Sequence, residues 1–136
     1  MLKYYEQVKR GAMMAKMSYV KFETPKEVLE KAMELVKISK ETGKIAKGAN
    51  EVTKMVERSE AKLVVIAEDV QPPEVVEHIP MLCDEKNIPY IYIQTKEELG
   101  KLVGILKSAS AVAVLSPGQG EEKLKKLVED IKNLKR

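Results

Sequence analysis

The 136-residue sequence is poor in the residues that build metal and redox centres, with one cysteine, Cys83, and one histidine, His78. A single cysteine forms no intramolecular disulfide, and with no third ligand at characteristic spacing a zinc centre is not expected. No apolar run approaches the ~20 residues that cross a bilayer, and no leader with a long apolar core and small-residue cleavage site stands out, so the expected location is the cytoplasm. The strings G-x-x-x-x-G-K-S/T and G-x-G-x-x-G are also missing, which removes two common phosphate-cradling loops. Nor is there a strong charge imbalance. The formal net charge is +3, and Lys3, Lys9, Arg10 and Lys16 against Glu6 account for it, leaving residues 18 to 136 neutral in sum. Affinity for nucleic acid must then come from a local basic patch, because phosphate binding depends on where the cations sit.

Hydrophobic residues make up 44% and charged residues 33%, the balance of a globular protein of one-domain length. Residues 1 to 17 show no sustained period and contain Met13, Met14 and Met17 as later possible starts; they are expected to form a loose extension, with the domain spanning 18 to 136. Thr24 and Glu27 have capping-box spacing, with Pro25 at the first helical position. This predicts a helix burying Val28, Leu29, Ala32, Leu35, Val36 and Ser39 and ending at Gly43. After an extended KIAK piece, Gly48 opens a second helix through about Arg58, with Val52, Met55 and Val56 at helical spacing. The runs LVVIA at 63–67, YIYI at 90–93 and AVAVL at 111–115 are apolar at consecutive positions, which predicts strands covered on both faces. Between Pro73 and Lys86, Pro80 argues for two short helical pieces. Thr95 and Glu98 form a second capping box, opening a helix that buries Leu99, Leu102 and Val103 and ends at Gly104. The last helix, from about Glu121, aligns Leu124, Leu127, Val128, Ile131 and Leu134. The alternation predicts an α/β fold, a three-layer α/β/α sandwich with a central mixed sheet of about four short strands. That class leaves function open.

The segment KIAKGANEVTKMVER, residues 44 to 58, concentrates polar groups at a helix start. Asn50 and Lys54, four apart, share a helix face, and Glu51 is their neighbour. Asn and Lys hydrogen-bond purine edges well, whereas a carboxylate can only accept, for instance from an exocyclic amine. A carboxylate facing a polyanion is otherwise unfavourable, so Glu51 points to base readout, with Lys44, Lys47 and Arg58 as phosphate partners. The same residues also suit a purely structural role: Asn50 as helix cap, Glu51 as a first-turn acid, Lys54 as a solvated side chain.

Residues 48 to 54, G-A-N-E-V-T-K, followed by VER, resemble the signature of the family of the archaeal large-subunit ribosomal protein L-seven-Ae, with its eukaryotic box C/D and ribosomal relatives. SYVKFETP before it, AKLVVIAEDVQPPEVVEHIPMLCDEKNIPYIYI after it and ELGKLVG match as well, so the similarity covers about residues 18 to 118. The resemblance implies an RNA-binding protein and not an enzyme. It implies recognition of kink-turns in ribosomal RNA and in box C/D and H/ACA guide RNAs, with RNase P RNA as a further target. Asn50, Glu51 and Lys54 would contact the tandem sheared G·A pairs, with Gly48 opening the motif. Lys44, Lys47 and Arg58 would touch the backbone. The loop Ile105, Leu106, Lys107, Ser108 and Ala109 would cover an extruded nucleotide. A box C/D scaffold protein and fibrillarin are the implied partners in the assembled particle, with no cofactor and a monomer when free.

Other signals carry less. Ser116-Pro117-Gly118-Gln119-Gly120 could cradle phosphate in a nucleotide-binding enzyme, but Glu121 and Glu122 place negative charge where the anion would sit. Glu68 and Asp69 follow a strand end, and a loop or helix-opening role is expected for them. His78, Cys83, Met33, Met55 and Met81 are expected to pack in or near the core. A protein-interaction module on the same fold is the other alternative, and it is disfavoured by the complete G-A-N-E-V-T-K string. The loop departs from the family pattern, with Leu106 where an acid is common and Lys107 where a valine is common. Lys107→Val is therefore expected to alter discrimination among loop nucleotides more than overall affinity. Titrations of RNAs differing only at that nucleotide would check this, and an equal effect on all of them would dismiss the idea.

Overall fold

The computed structural model describes residues 19–134, so the extension expected over residues 1 to 17 lies outside them. Helix α1 (Lys26–Thr42) buries Val28, Ala32, Leu35, Val36 and Ser39, the expected stripe, with Leu29 half-buried. Ser39 is tolerated there because its hydroxyl donates to Leu35 O at 2.8 Å, leaving no unpaired polar atom in the apolar layer. The chain continues through β1 (Lys44–Lys47), α2 (Ala49–Glu57), β2 (Leu63–Ala67), a 3-10 turn (Pro73–Val75), α3 (His78–Lys86) and β3 (Tyr90–Ile93). It ends with α4 (Lys96–Leu102), β4 (Ala111–Ser116), a 3-10 turn (Gly118–Gly120) and α5 (Glu121–Leu134).

The four strands form one mixed sheet in the order β1-β4-β2-β3. Strand β2 pairs parallel with β3, Val65 beside Ile91, and antiparallel with β4, Val65 beside Val112; β1 pairs antiparallel with β4, Ala46 beside Ala113. Every residue of β2 and β3 is buried, as are Ala111 to Val114 of β4. This is the outcome expected of runs that are apolar at consecutive positions. Helix α1 packs against α4 and α5 on one face, and α2 against α3 on the other, giving the three-layer α/β/α sandwich. Strand β1 is the less buried edge, and exposed Lys44 and Lys47 guard it against pairing with another chain. The pairing directions collect the carboxyl ends of β1, β2 and β3 and the amino end of β4 at one end of the sheet.

Three local expectations are corrected. The cap of α1 is Pro25, without a side-chain hydrogen bond; Thr24 Oγ1 instead accepts the amide of Tyr92 at 3.0 Å. Strand β3 is the other edge, and its outward amide lacks a ladder partner, whereas a helix end can turn to water, so the hydroxyl serves the edge. Pro80 does not separate the two helical pieces. The break falls at Val76 and Glu77, and Pro80 is the third residue of α3, where the missing N–H has no intrahelical acceptor anyway. Met81 is 62% exposed and not a core residue, whereas Cys83 is fully buried and Met33 and Met55 pack against the core.

The β3 edge is closed by residues 19 to 24. Tyr92 Oη donates to Tyr19 O and accepts from Lys21 N, while Tyr19 Oη donates to Ala67 O at 2.7 Å and accepts from Val70 N at 3.2 Å. Phe22 packs edge-on against Tyr92, with ring centroids 5.1 Å apart. Burial pushes the phenols of Tyr19, Tyr90 and Tyr92 above the ordinary tyrosine value, and the Asp84 carboxylate adds to the effect at Tyr90. The fold thus favours the protonated phenols. Their stabilisation is fully present below about pH 10, the unfolded value, and is lost as pH rises through the higher folded values. Urea midpoints recorded with rising pH should fall above that point, with the tyrosinate absorbance of these residues appearing together with unfolding; full ionisation while the fold persists would contradict the burial argument.

Candidate nucleic-acid interface

The candidate interface is built where β1 turns into α2. Gly48 makes that turn with φ +91°, a conformation in which an L side chain is strained. A Cβ added there would meet nothing within 4 Å, so the glycine answers to the backbone and the space before it is open. Its amide donates to Ala111 O at 2.8 Å, locking the start of α2 to the start of β4. Buried Ala49, Val52 and Val56 then seat the nine-residue helix against the sheet.

That seating leaves Asn50, Glu51 and Lys54 exposed together on the opening turns. The capping role for Asn50 is not realised, because the cap is Gly48 and Asn50 is the second helical residue. Glu51 and Lys54 approach to 3.5 Å, with side chains 55% and 59% exposed. A pair so open to solvent contributes a few tenths of a kcal/mol at most, and a ligand can separate it at little cost. Exposed Lys47 stands two residues before Ala49 and joins this group. Lys44 lies further back, roughly 10 Å along β1 from Lys47 at strand rise. Arg58, the C-terminal cap of α2, is roughly 12 Å along the helix axis from Asn50.

The loop from 105 to 109 adjoins this turn because it feeds β4, whose Ala111 carbonyl holds Gly48. Ala109 N donates to Lys96 O at 3.0 Å and Ile105 N to Gly100 O at 3.1 Å, so the loop is tied back onto α4. Gly100 sits inside that seven-residue helix, where glycine costs ~1 kcal/mol relative to alanine. The reason is contact: a Cβ on Gly100 would lie 2.2 Å from Lys107 O. Leu106 is fully exposed, Lys107 and Ser108 are exposed, and Ile105 is half-buried. Ala109 is 3% exposed and faces the core, so it anchors the loop and offers no side chain outward.

Two residues absent from the sequence reading join here. Lys96 and Lys101 of α4 line a shallow concavity of about 470 Å³ with Glu97, Ile105, Leu106 and Lys107. Their signal was present as lysines flanking the E-E-L-G string, but only the fold of the loop back over Gly100 brings them beside Lys107. Cations therefore gather at this end of a chain whose total charge is nearly balanced. The aromatic residues among those described, Tyr19, Phe22, Tyr90 and Tyr92, cluster at the β3 edge, so this interface offers hydrogen bonds, cations and aliphatic cover but no aromatic stacking platform.

The weaker candidates have structural duties. Gln119 N donates to Thr42 Oγ1 at 3.0 Å and Gly120 N to Pro117 O, so these amides of the SPGQG turn are not free to cradle a phosphate. Asp69 Oδ1 accepts the amide of Lys96 at 2.8 Å, at the opening of α4. No group of three His, Cys, Asp or Glu residues is arranged for a metal among the described residues, and none of the described helices is long and apolar enough to cross a membrane.

With this geometry in place, the chain can be compared with known proteins. The model of the "Ribosomal protein L7Ae/L30e/S12e/Gadd45 family" matches residues 30–124. Among solved structures, the chain is similar to the Giardia lamblia 15.5kD RNA binding protein, with 28% identity and a TM-score of 0.78, over 87% of this chain and 98% of that one.

If the loop rests on Gly100 as described, Gly100→Ala should speed hydrogen exchange at the amides of Ile105 and Ala109 while the amides of β2 keep their protection. Unchanged exchange at those two amides would mean that the loop is held elsewhere.

Proposed function

Because the chain belongs to the ribosomal protein L7Ae/L30e/S12e/Gadd45 family, we propose that it is a non-enzymatic RNA-binding protein whose ligand is the kink-turn. The carrying observation is the exposed trio Asn50, Glu51 and Lys54 on the opening turns of a helix fixed from below by Ala49, Val52 and Val56. Lys54 donates to guanine acceptors, Asn50 can both donate and accept, and Glu51 accepts from an exocyclic amine. Sheared G·A pairs turn such edges outward, where a rigid helix end can meet them. Exposed Leu106, with Ile105 beneath it, supplies apolar cover for an unstacked base, and Lys47, Lys96, Lys101 and Lys107 supply phosphate partners, with Lys44 and Arg58 further out.

In this reading the protein shifts a flexible internal loop toward its kinked form by binding that form better, and so nucleates a larger particle. The RNAs proposed are ribosomal RNA, box C/D and H/ACA guide RNAs and RNase P RNA. A box C/D scaffold protein and fibrillarin would join through the assembled particle, and the free protein would be a cytoplasmic monomer.

The test is a titration of a labelled kink-turn RNA at defined salt, beside the same RNA with its sheared G·A pairs replaced by Watson–Crick pairs. Selective binding is expected, with Glu51→Ala and Lys54→Ala each weakening it by about tenfold or more, a loss of ~1.4 kcal/mol. Equal, weak and steeply salt-dependent binding to both RNAs would reduce the interface to backbone electrostatics and sink the proposal.

A further inference from the structure

Buried valines set the depth of α2 on the sheet, but non-directional apolar contacts hold the orientation of its first turn less strictly than a hydrogen bond does. A side-chain hydrogen bond supplies the second constraint. Thr53 Oγ1 lies 2.8 Å from His78 Nε2 of α3 and 2.7 Å from Ala49 O in its own helix. A hydroxyl carries one hydrogen, and the Ala49 carbonyl can only accept, so that hydrogen goes to Ala49. His78 Nε2 must then be the donor to Thr53, which makes the neutral imidazole the Nε2–H tautomer. The ring stands on a firm mount: His78 is the first residue of α3, between Val76 and Ile79, both fully buried. The chain of bonds ends on the carbonyl of Ala49, between the Gly48 turn and Asn50.

We propose that His78, acting through Thr53, is a positioning residue that holds the opening turn of α2 in the orientation in which Asn50 and Glu51 meet RNA. The inference rests on the RNA-binding reading above. Its effect appears as affinity of the folded protein, not merely as stability, because the bond fixes the turn that carries the reading side chains while Val52 and Val56 keep the helix docked.

The histidine is single in the sequence, so long-range proton–nitrogen spectra of the free protein report its tautomer without ambiguity, and the Nε2–H form is expected. In titrations with the sheared-pair RNA, His78→Ala should weaken binding about fivefold, the loss of one ordinary neutral hydrogen bond, and Thr53→Val, which also removes the bond to Ala49 O, should weaken it at least as much. Thr53→Ser, which keeps the hydroxyl, should bind as the parent does. The double variant Thr53→Val/His78→Ala should be no weaker than Thr53→Val alone, as expected when the second change removes a partner of a bond already lost. An Nδ1–H tautomer overturns the proposal. So do single variants whose urea midpoints fall while the affinity of the folded protein stays at the parent value, since that is a structural role only. A parent protein that shows no preference for the sheared-pair RNA is a different failure: it removes the kink-turn reading itself, and this inference with it.

Discussion

The hydrogen bond from Gly48 N to Ala111 O joins two parts of the chain more than sixty residues apart, and the proposed RNA-binding surface depends on it. It exists because β1 runs antiparallel to β4, which brings the end of one strand to the start of the other. Gly48 alone can take the positive φ that lets the chain leave β1, give its amide to Ala111 and enter a helix at once. The helix start and the 105–109 loop thus share a backbone anchor. The loop has its own rest on Gly100, and the helix its own seat of valines, so both halves of the surface stand on sheet and helix rather than on other loops. A surface set in this way has little ordering left to do on binding, which reduces the entropic cost of recognition.

Much of the fold was legible because local and global signals agree. The three apolar runs became the three buried strands, and the Thr95 cap is realised, its hydroxyl accepting Glu98 N at 3.1 Å. Where the structure departs from a local signal, as at Thr24, a distant partner competes for the same group. Thr24 looked like a cap from its neighbours alone, and the claim of the β3 edge on its hydroxyl is visible only once Tyr92 is beside it. Pro80 marked a real interruption a few residues from its true place, because a proline is as harmless in the first turn of a helix as between helices. The joint exposure of the trio on α2 was legible from spacing. Lys96, Lys101 and the inward turn of Ala109 were not, since they depend on how the loop folds back over α4. The Thr53–His78 bond escaped for the same reason: no periodicity links a threonine of one helix to the first residue of another.

Charge is deployed locally. Lys47, Lys54, Lys96, Lys101 and Lys107, from β1, α2, α4 and the loop, gather toward one end of the sheet, while the rest of residues 18 to 136 carries the compensating acids, some of them paired across helices, as Asp130 is with Lys31 and Glu34 with Lys123. Against an RNA backbone such a cluster gives attraction that is strong at low salt and indifferent to sequence. Cations alone do not tell a kinked RNA from a straight one.

On the proposed reading, Glu51 is the residue that separates attraction from discrimination. In the free protein it rests 3.5 Å from Lys54, a solvated pair of small worth that keeps both side chains near their working positions. A ligand that presented only phosphates would engage Lys54 and leave the carboxylate facing negative charge, a repulsion that works against generic polyanions. A ligand that presents an amine edge beside guanine acceptors satisfies both members at once, converting the penalty into hydrogen bonds. Specificity is a difference between two affinities, and a repulsive element against the wrong partner widens it as effectively as a new contact to the right one. On the proposed reading, a carboxylate among lysines is therefore the feature that makes the surface selective, and its placement depends on the Gly48 turn, which sets the start of the helix one residue before Asn50 and two before Glu51.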